Sequence, residues 1–448
     1  MMMVSKIFSL LQFFTIFTIT FASTKEATAL LKWKSTFKNH NNSLLASWQP
    51  SSDACSDWYG VVCFNGRVNR LNITNSRVVG TRDFPFPSLH FLEHFELSMN
   101  NFYGTIPPEM GNLTNLIYLD LSINQISGTI PPQISSLARL QTLRIFANHL
   151  NGSIPEDIGY LRSLTELELG TNSLNGSVPA SLGNLNNLTL LYLYENHLSG
   201  SIPEEIGYLR SLTKLALSTN SLSGSIPDSL GNLNNLSYLY LHENHLSGSI
   251  PEEIGDLTNA KVFYAFSNEL FGPIPAEIGK MRSLQNLSLQ TNNLSGLILK
   301  TIGDLTELKL LYLDANQLSG NSYGELPSSI CNLTSLQILD LGSNLIGAIP
   351  QCFCNMSGHL EVLDMQHNNL SSTLPTTYSI GSALGRFNLH GNKLEGKIPR
   401  FLINCQRLEV LDLGDNLLND TFPMWLGTLP ELQVLSLRLI SCMDPLEL

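Results

Sequence analysis

Between Arg67 and Leu437 the apolar positions keep a fixed register that returns every 24 residues. In Asn115 to Leu137, NLIYLDLSINQISGTIPPQISSL, the apolar Leu119, Leu121 and Ile126 surround Asn124, Gly128 follows, and Ile130-Pro131 closes the unit. The same phase recurs at Asn100, Asn148, Asn172, Asn196, Asn220, Asn244, Asn268, Asn292, Asn316, Asn344, Asn368, Asn392 and Asn416. Ser76 and Ile440 hold the phase at either end, which gives about 16 coils with atypical outer ones. The Leu-x-Leu alternation predicts a short strand with one buried face. The asparagine stands where the chain turns inward, and its amide can both donate to and accept from backbone groups of neighbouring coils that burial would otherwise leave unpaired, at about 1–3 kcal/mol each. The glycine allows a tight or positive-φ backbone, and the proline excludes a helix interior while permitting a short helical turn just after it. One such coil cannot bury its own leucines, so stacking must supply the core.

The unit Leu-x-x-Leu-x-Leu-x-x-Asn-x-Leu-x-Gly-x-Ile-Pro, as in LIYLDLSINQISGTIP, resembles the plant-specific class of extracellular leucine-rich repeats from Lys25 to about Arg438. That resemblance implies an α/β repeat fold: a leucine-rich repeat solenoid curved as a superhelix, with a parallel β-sheet on its concave face and short helical or irregular segments on its convex face. Repetition argues for one elongated domain, in which residues 67–438 carry the repeats and 439–448 form a divergent tail.

The start of the chain changes the picture from fold to location. Residues 1–22 hold Lys6 and then the apolar run Ile7 to Phe21, which reads as a signal peptide cleaved near Ala22, with an uncleaved anchor as the alternative. Thirteen Asn-x-Ser/Thr sequons agree with export as glycosylation acceptors: Asn41, Asn72, Asn112, Asn151, Asn175, Asn187, Asn235, Asn286, Asn293, Asn332, Asn355, Asn369 and Asn419. The expected location is secreted, or the extracellular face of the plasma membrane. Leu30, Trp33 and Phe37 predict a short amphipathic helix over Lys25 to Phe37 that covers the first coil. Cys55 and Cys63 stand close together in an exported segment, which predicts a disulfide. WKSTF, LLASW and CSDWYGVVC resemble the amino-terminal cap of the same family, placing that cap at 23–66.

Candidate function rests on positions that point away from the core. Residues 153–200 and 201–248 are near-copies, and five of their ten differences fall on outward strand positions: Glu166/Lys214, Glu168/Ala216, Gly170/Ser218, Leu190/Tyr238 and Tyr194/His242. Relaxed constraint on exposed sites competes with selection on one surface as the explanation. Outward positions of the middle coils carry Tyr192, Tyr194, Tyr238, Tyr240, His242, Tyr264, Phe266 and Tyr312, an aromatic strip suited to anchoring a peptide or protein ligand, although aromatics also simply suit strands. Asp314, Asp340, Asp364 and Asp412 form a second column, expected to be a solvated acidic stripe and not a metal site. The spacing between Asn316 and Asn344 is 28, with the extra residues around Asn321 to Gly324, and Cys405 takes a core-leucine position.

Net charge of −12 disfavours nucleic acid as a partner. Scattered histidines and the lack of kinase motifs argue against an enzyme, and no motif calls for a cofactor or metal. No apolar run of about 20 residues follows the repeats, so no membrane span is expected after the signal peptide. NLHGNKLEGKIP and LEVLDLGDNLLNDTFPMWLGTLPEL resemble later coils of plant receptor-like proteins, which implies a cell-surface receptor of immunity or development that reads a peptide or pathogen-derived ligand on its concave face and signals through a kinase co-receptor. This chain departs from that pattern by ending before a membrane segment. A receptor kinase ectodomain, or a secreted inhibitor of microbial cell-wall-degrading enzymes, are the alternatives.

Overall fold

The computed structural model describes residues 24–39, 43–80, 84–319, 325–350, 353, 358–371, 373–374 and 383–438, together with the backbone of 441–443. The expected signal peptide and the insertion at Asn321 to Gly324 lie outside these residues. The chain divides into two compact units, Met1–Ser173 and Leu174–Leu448.

In the first unit the helix runs Thr24–Lys34, shorter than the apolar spacing suggested, and Phe37 is buried beyond its end. Trp33 stacks on Phe102, ring centroids 5.7 Å apart, so the helix does cover the early coils. Glu26 is fully buried at its start because it accepts from Arg67 Nε and the Val68 N–H. Val61–Phe64 pairs antiparallel with Arg67–Asn72, and from there every strand is parallel: His94–Glu96, Tyr118–Asp120, Thr142–Arg144 and Glu166–Glu168 follow in register. Cys55 and Cys63 are disulfide-bonded, as their spacing indicated.

The second unit repeats the design. Its strands run in sequence from Leu190–Tyr192 through Tyr238–Tyr240, Val262–Tyr264, Leu310–Tyr312 and Ile338–Asp340 to Val434–Ser436, each parallel to the last. A second set of short parallel strands forms after most of the asparagines, for example Ser221–Gly224 beside His245–Leu246, whereas only isolated bridges follow Asn344 and Asn368; Ser441–Met443 still pairs with Leu417–Thr421. Most described coils then close through a 3₁₀ turn led by a proline in extended conformation, such as Pro227 before Asp228–Asn232, while Leu299 takes that place before Lys300–Asp304. The proline fits there because its φ is already set and that position has no intrahelical N–H bond to lose.

The asparagine ladder works as the pattern required. Asn244 Nδ2 donates to the carbonyls of Leu217, Leu241 and His242, while its Oδ1 accepts from the Leu222 N–H of the preceding coil. Across the insertion, Asn344 Nδ2 still reaches the Leu313 carbonyl and Oδ1 still takes the Leu318 N–H, although both sequence separations are four longer than in regular coils. The extra residues therefore leave the ladder untouched.

Two backbone features complete the coil. Gly128 has φ 76°, and a Cβ there would crowd Thr105 of the previous coil. The residue before each ladder asparagine is also left-handed, from Met99 (φ 58°) and Ile123 (φ 53°) to Asp415 (φ 51°), with Gly391 (φ 67°) the only glycine in that series among the described residues. Most of these residues carry side chains that pay steric strain at such φ values.

Candidate ligand-binding face

The outward positions of the main strands form what we call the strand face, and the two units build it from different chemistry. In the first unit it is charged and internally paired. Arg70 meets Glu96 at 2.7 Å, and Arg144 Nη2 meets Glu166 Oε2 at 2.7 Å. Arg144 Nε lies 3.0 Å from Glu168 Oε1 as an ion pair that lacks hydrogen-bond alignment. Burial works against the Arg144 charge, yet Glu168, Tyr118 and Glu166 together hold its pKa above the ordinary value. Glu168 is pushed up, chiefly by burial, with Arg144 opposing. Tyr118 and Phe146 are outward aromatics here that the middle-coil strip did not include, although both occupy the same repeat phase.

In the second unit the face is aromatic, and the structure breaks the expected strip into three parts. Tyr192 and Tyr194 form a pair at 5.7 Å. Tyr238, Tyr240, His242, Tyr264 and Phe266 form one continuous cluster, with Tyr240 against Tyr264 at 5.6 Å and His242 stacked on Phe266 at 4.4 Å. Tyr312 stands apart, because Ser288 occupies the register position between it and Tyr264. Likewise Ala216 lies in register between Tyr192 and Tyr240. Ala216 and Ser218, taken from sequence as outward and exposed, are buried, small enough to sink below their neighbours.

Burial shapes the chemistry of the cluster. It raises the Tyr240 phenol, aided by Tyr264 and Tyr238, and lowers the His242 imidazole, which therefore stays neutral at pH 7. His242 Nδ1 is enclosed and has no hydrogen-bond partner among the described residues. Lys214 Nζ sits 5.6 Å from the centre of the Tyr238 ring, a cation–π contact at the cluster edge.

Beyond Tyr312 the face turns acidic. Tyr312, Asp340 and Asp364 are successive register partners, and Asp412 follows after Asn388. The expectation of a solvated stripe needs correction: these carboxylates are half-buried. Burial drives the Asp340 pKa up to about 7 against the Gly342 N–H bond, with Asp314 and Asp364 adding to the rise, and Asp314 is also raised by burial.

The sequons distribute unevenly. Asn112, Asn151, Asn175, Asn187, Asn235, Asn293, Asn332, Asn369 and Asn419 are exposed, whereas Asn41 and Asn355 lie outside the described residues. Asn72 is half-buried and donates to Glu96. Among the described sequons of the second unit, Asn286 alone lies on the strand face, where its Nδ2 donates to Tyr264 Oη at 3.3 Å. Cys405 is buried in the core position its sequence phase indicated.

Comparison with known proteins gives this geometry a family. Residues 23–64 match the leucine rich repeat N-terminal domain, and the Leucine Rich Repeat model matches 91–113, 115–137, 163–185, 187–209, 211–233, 235–257, 335–356, 359–379 and 407–429. A solved TDR receptor is 30% identical with TM-score 0.64, and the alignment covers 79% of this chain and 73% of that one. The chain belongs to the plant leucine-rich repeat receptor family. The plant peptide hormone receptor RGFR1, solved in complex with RGF2, is 38% identical with TM-score 0.75 over 77% of this chain and 55% of its own. The Arabidopsis receptor kinase HAESA, solved with the peptide hormone IDA and the co-receptor SERK1, is 27% identical with TM-score 0.62 over 93% of this chain and 82% of its own.

Curated members of the family include Receptor-like protein 35 of Arabidopsis thaliana, 46% identical over 27% of this chain and 13% of that protein. MDIS1-interacting receptor like kinase 2 of the same plant is 50% identical over 21% and 10%. The matched segments thus span a small part of these relatives. The leucine-rich repeat receptor fold is a binding scaffold without catalytic machinery, and no helix among the described residues is long and apolar enough to cross a membrane.

Proposed function

We propose that this chain is the ligand-recognition part of a plant cell-surface receptor, acting in immunity or development, and that it binds a peptide on the strand face of its second unit. The observation that carries the reading is the five-ring cluster around Tyr240 and Tyr264, half-buried yet open to solvent. Aromatic anchors on a rigid sheet present large contact area at low entropic cost. The peptide complexes of RGFR1 and HAESA favour a peptide as the ligand class, and the HAESA complex favours a kinase co-receptor as the signalling partner. Peptides selected from a random displayed library on the secreted protein provide the probe. Replacing Tyr240 and Tyr264 with alanine is expected to remove about 2–4 kcal/mol of binding to the best selected peptide. Unchanged affinity in a folded double variant would rule the cluster out.

A further inference from the structure

In the second unit, the position three residues after the ladder asparagine is serine in the coils on either side of one exception: Ser199, Ser223 and Ser247 precede it, and Ser295 and Ser319 follow. The exception is Phe271. Its side chain is 55% exposed, so the ring gives up most of the burial that stabilises an aromatic residue. The coil itself does not require the ring, because the flanking serines serve the same strand pairing.

The next coil sets one particular side chain against it. Phe271–Gly272 pairs in parallel with Asn293–Leu297, and Phe271 is the register partner of Asn293. Register partners on parallel strands stand about 4.8 Å apart and project to the same side. Both residues line one open groove of about 460 Å³, together with Ser247, Glu269 and Thr291. That volume falls within the range of about 300–1,000 Å³ typical of small-ligand sites. Asn293 is exposed and begins the sequon Asn293-Leu294-Ser295. Its side chain makes no hydrogen bond among the described residues. By contrast, Asn235 Nδ2 donates to the Arg210 carbonyl and Asn286 Nδ2 donates to Tyr264.

Asn369 supplies an internal comparison. Like Asn293 it is exposed, follows its ladder asparagine directly and begins a sequon, and the N–H groups of the two donate to equivalent carbonyls, Ile346 and Leu270. The residue that corresponds to Phe271 in the coil before Asn369 is Gly347, so that sequon has no ring beside it.

We propose that Asn293 carries an N-linked glycan whose first N-acetylglucosamine lies in this groove against the face of Phe271. In the transfer, Asn293 Nδ2 gives up one proton and bonds the anomeric carbon of a lipid-linked oligosaccharide diphosphate. The lipid diphosphate leaves with the bonding electron pair, and the second Nδ2 proton stays. The C–H bonds on one face of the pyranose carry partial positive charge and meet the negative face of the phenyl ring, while apolar surface of both leaves water. The acetamide and hydroxyls turn to the polar rim of Glu269 and Thr291. Attachment at Asn293 supplies the high local concentration that a weak sugar contact needs. The inference is independent of the peptide reading, because none of these residues belongs to the strand face.

The experiment uses the full chain secreted from a glycosylating host. Enzymatic release of the glycans in heavy-oxygen water, followed by mass spectrometry of the tryptic segment from Ser283 to Lys300, marks each occupied asparagine and separates Asn293 from Asn286. Asn293 is expected to be occupied in most molecules. Wild type, Phe271→Ser, Asn293→Gln and the double variant are then trimmed to one N-acetylglucosamine per site and melted. Phe271→Ser should lower the melting temperature by about 2 °C or more while Asn293 bears its sugar, and should not lower it in the Asn293→Gln background. The same cycle run with Asn369→Gln in place of Asn293→Gln should be additive. Phe271→Leu keeps apolar bulk without the ring face and should lose most of the coupling to Asn293. An unoccupied Asn293 would overturn the inference. So would an additive cycle with Asn293, equal coupling to Asn369, or full coupling retained by leucine.

Discussion

The strand faces of the two units share one scaffold and differ in how they settle their own side chains. In the first unit, Arg144 lies across Glu166 and Glu168, and Arg70 lies against Glu96. In the near-copy within the second unit, Lys214 and Ala216 stand where Glu166 and Glu168 do. The ion-pair partners are thereby gone, and Tyr238, Tyr240 and His242 gather around the space. Farther along that unit, no Lys, Arg or His pairs with Asp340 or Asp364 among the described residues. A face that satisfies itself has little to gain from a partner, whereas a face with desolvated, uncompensated groups does. Surface chemistry, and not the coil, separates the two.

The largest expected effect checks that the coil is common ground. Asn124→Ala and Asn244→Ala each strand several buried carbonyls and one N–H. Both should destabilise by about 3 kcal/mol in chemical denaturation. Clearly unequal costs would mean that the units differ in their framework, and the contrast between faces would lose its footing.

Next comes the charge network. Arg144→Ala leaves Glu166 and Glu168 partly desolvated without their cation and should cost on the order of 1 kcal/mol, discounted because all three groups are partly exposed. Lys214→Ala, at the corresponding edge of the second unit, should be near neutral. Equal losses would erase the distinction between a paired face and an open one.

A pH series sharpens it further. The folded pKa of Asp340 is about 7, above the unfolded value of about 3.9, so its stabilising contribution is full below about pH 4 and is lost as pH rises through 7. Asp340→Asn should therefore melt a few degrees above the wild type at pH 8, with the gap narrowing as pH falls below 7 and closing near pH 4. Glu168→Gln in the first unit should show no such gain, because it also removes a partner of Arg144. A wild type as stable as Asp340→Asn at pH 8 would contradict the uncompensated charge.

The smallest effect tests the shared turn. Ile123 holds a left-handed backbone that a β-branched residue resists, and Gly391 shows the residue type that would relax it. Ile123→Gly should be neutral to stabilising by less than about 1 kcal/mol, because relief of strain is offset by the freer unfolded chain.

What the sequence made legible follows from which residues are chemically unique at their position. Only asparagine offers two donors and an acceptor in so short a side chain, so the ladder and the coil phase could be read directly, and Cys55 and Cys63 announced their bond. The left-handed residue ahead of each asparagine left no mark, because Met99, Ile123, Ala147 and Glu243 share no side-chain property and the conformation comes from the turn around them. On the binding face, the tyrosines could be placed outward by phase, but their grouping depends on the small residues between them: Ala216 and Ser288 divide what looked like one strip. Burial raises the Asp340 pKa most, and the charges that add to the rise, Asp314 and Asp364, stand 26 residues before it and 24 after, as 340 less 314 and 364 less 340. The pairing of Arg144 with Glu166 and Glu168 likewise joins separate coils, and it was missed although every partner sat on an outward position.

The most direct measurement is a matched pair of truncations, Tyr240→Ala/Tyr264→Ala on the second unit and Tyr118→Ala/Phe146→Ala on the first, each titrated with one peptide selected on the wild-type protein. The expected result is a loss of at least tenfold in affinity for the first pair and none for the second, with both variants folded. Equal affinity for the two, or a loss confined to the Tyr118 and Phe146 variant, would contradict the assignment of ligand recognition to the aromatic face of the second unit.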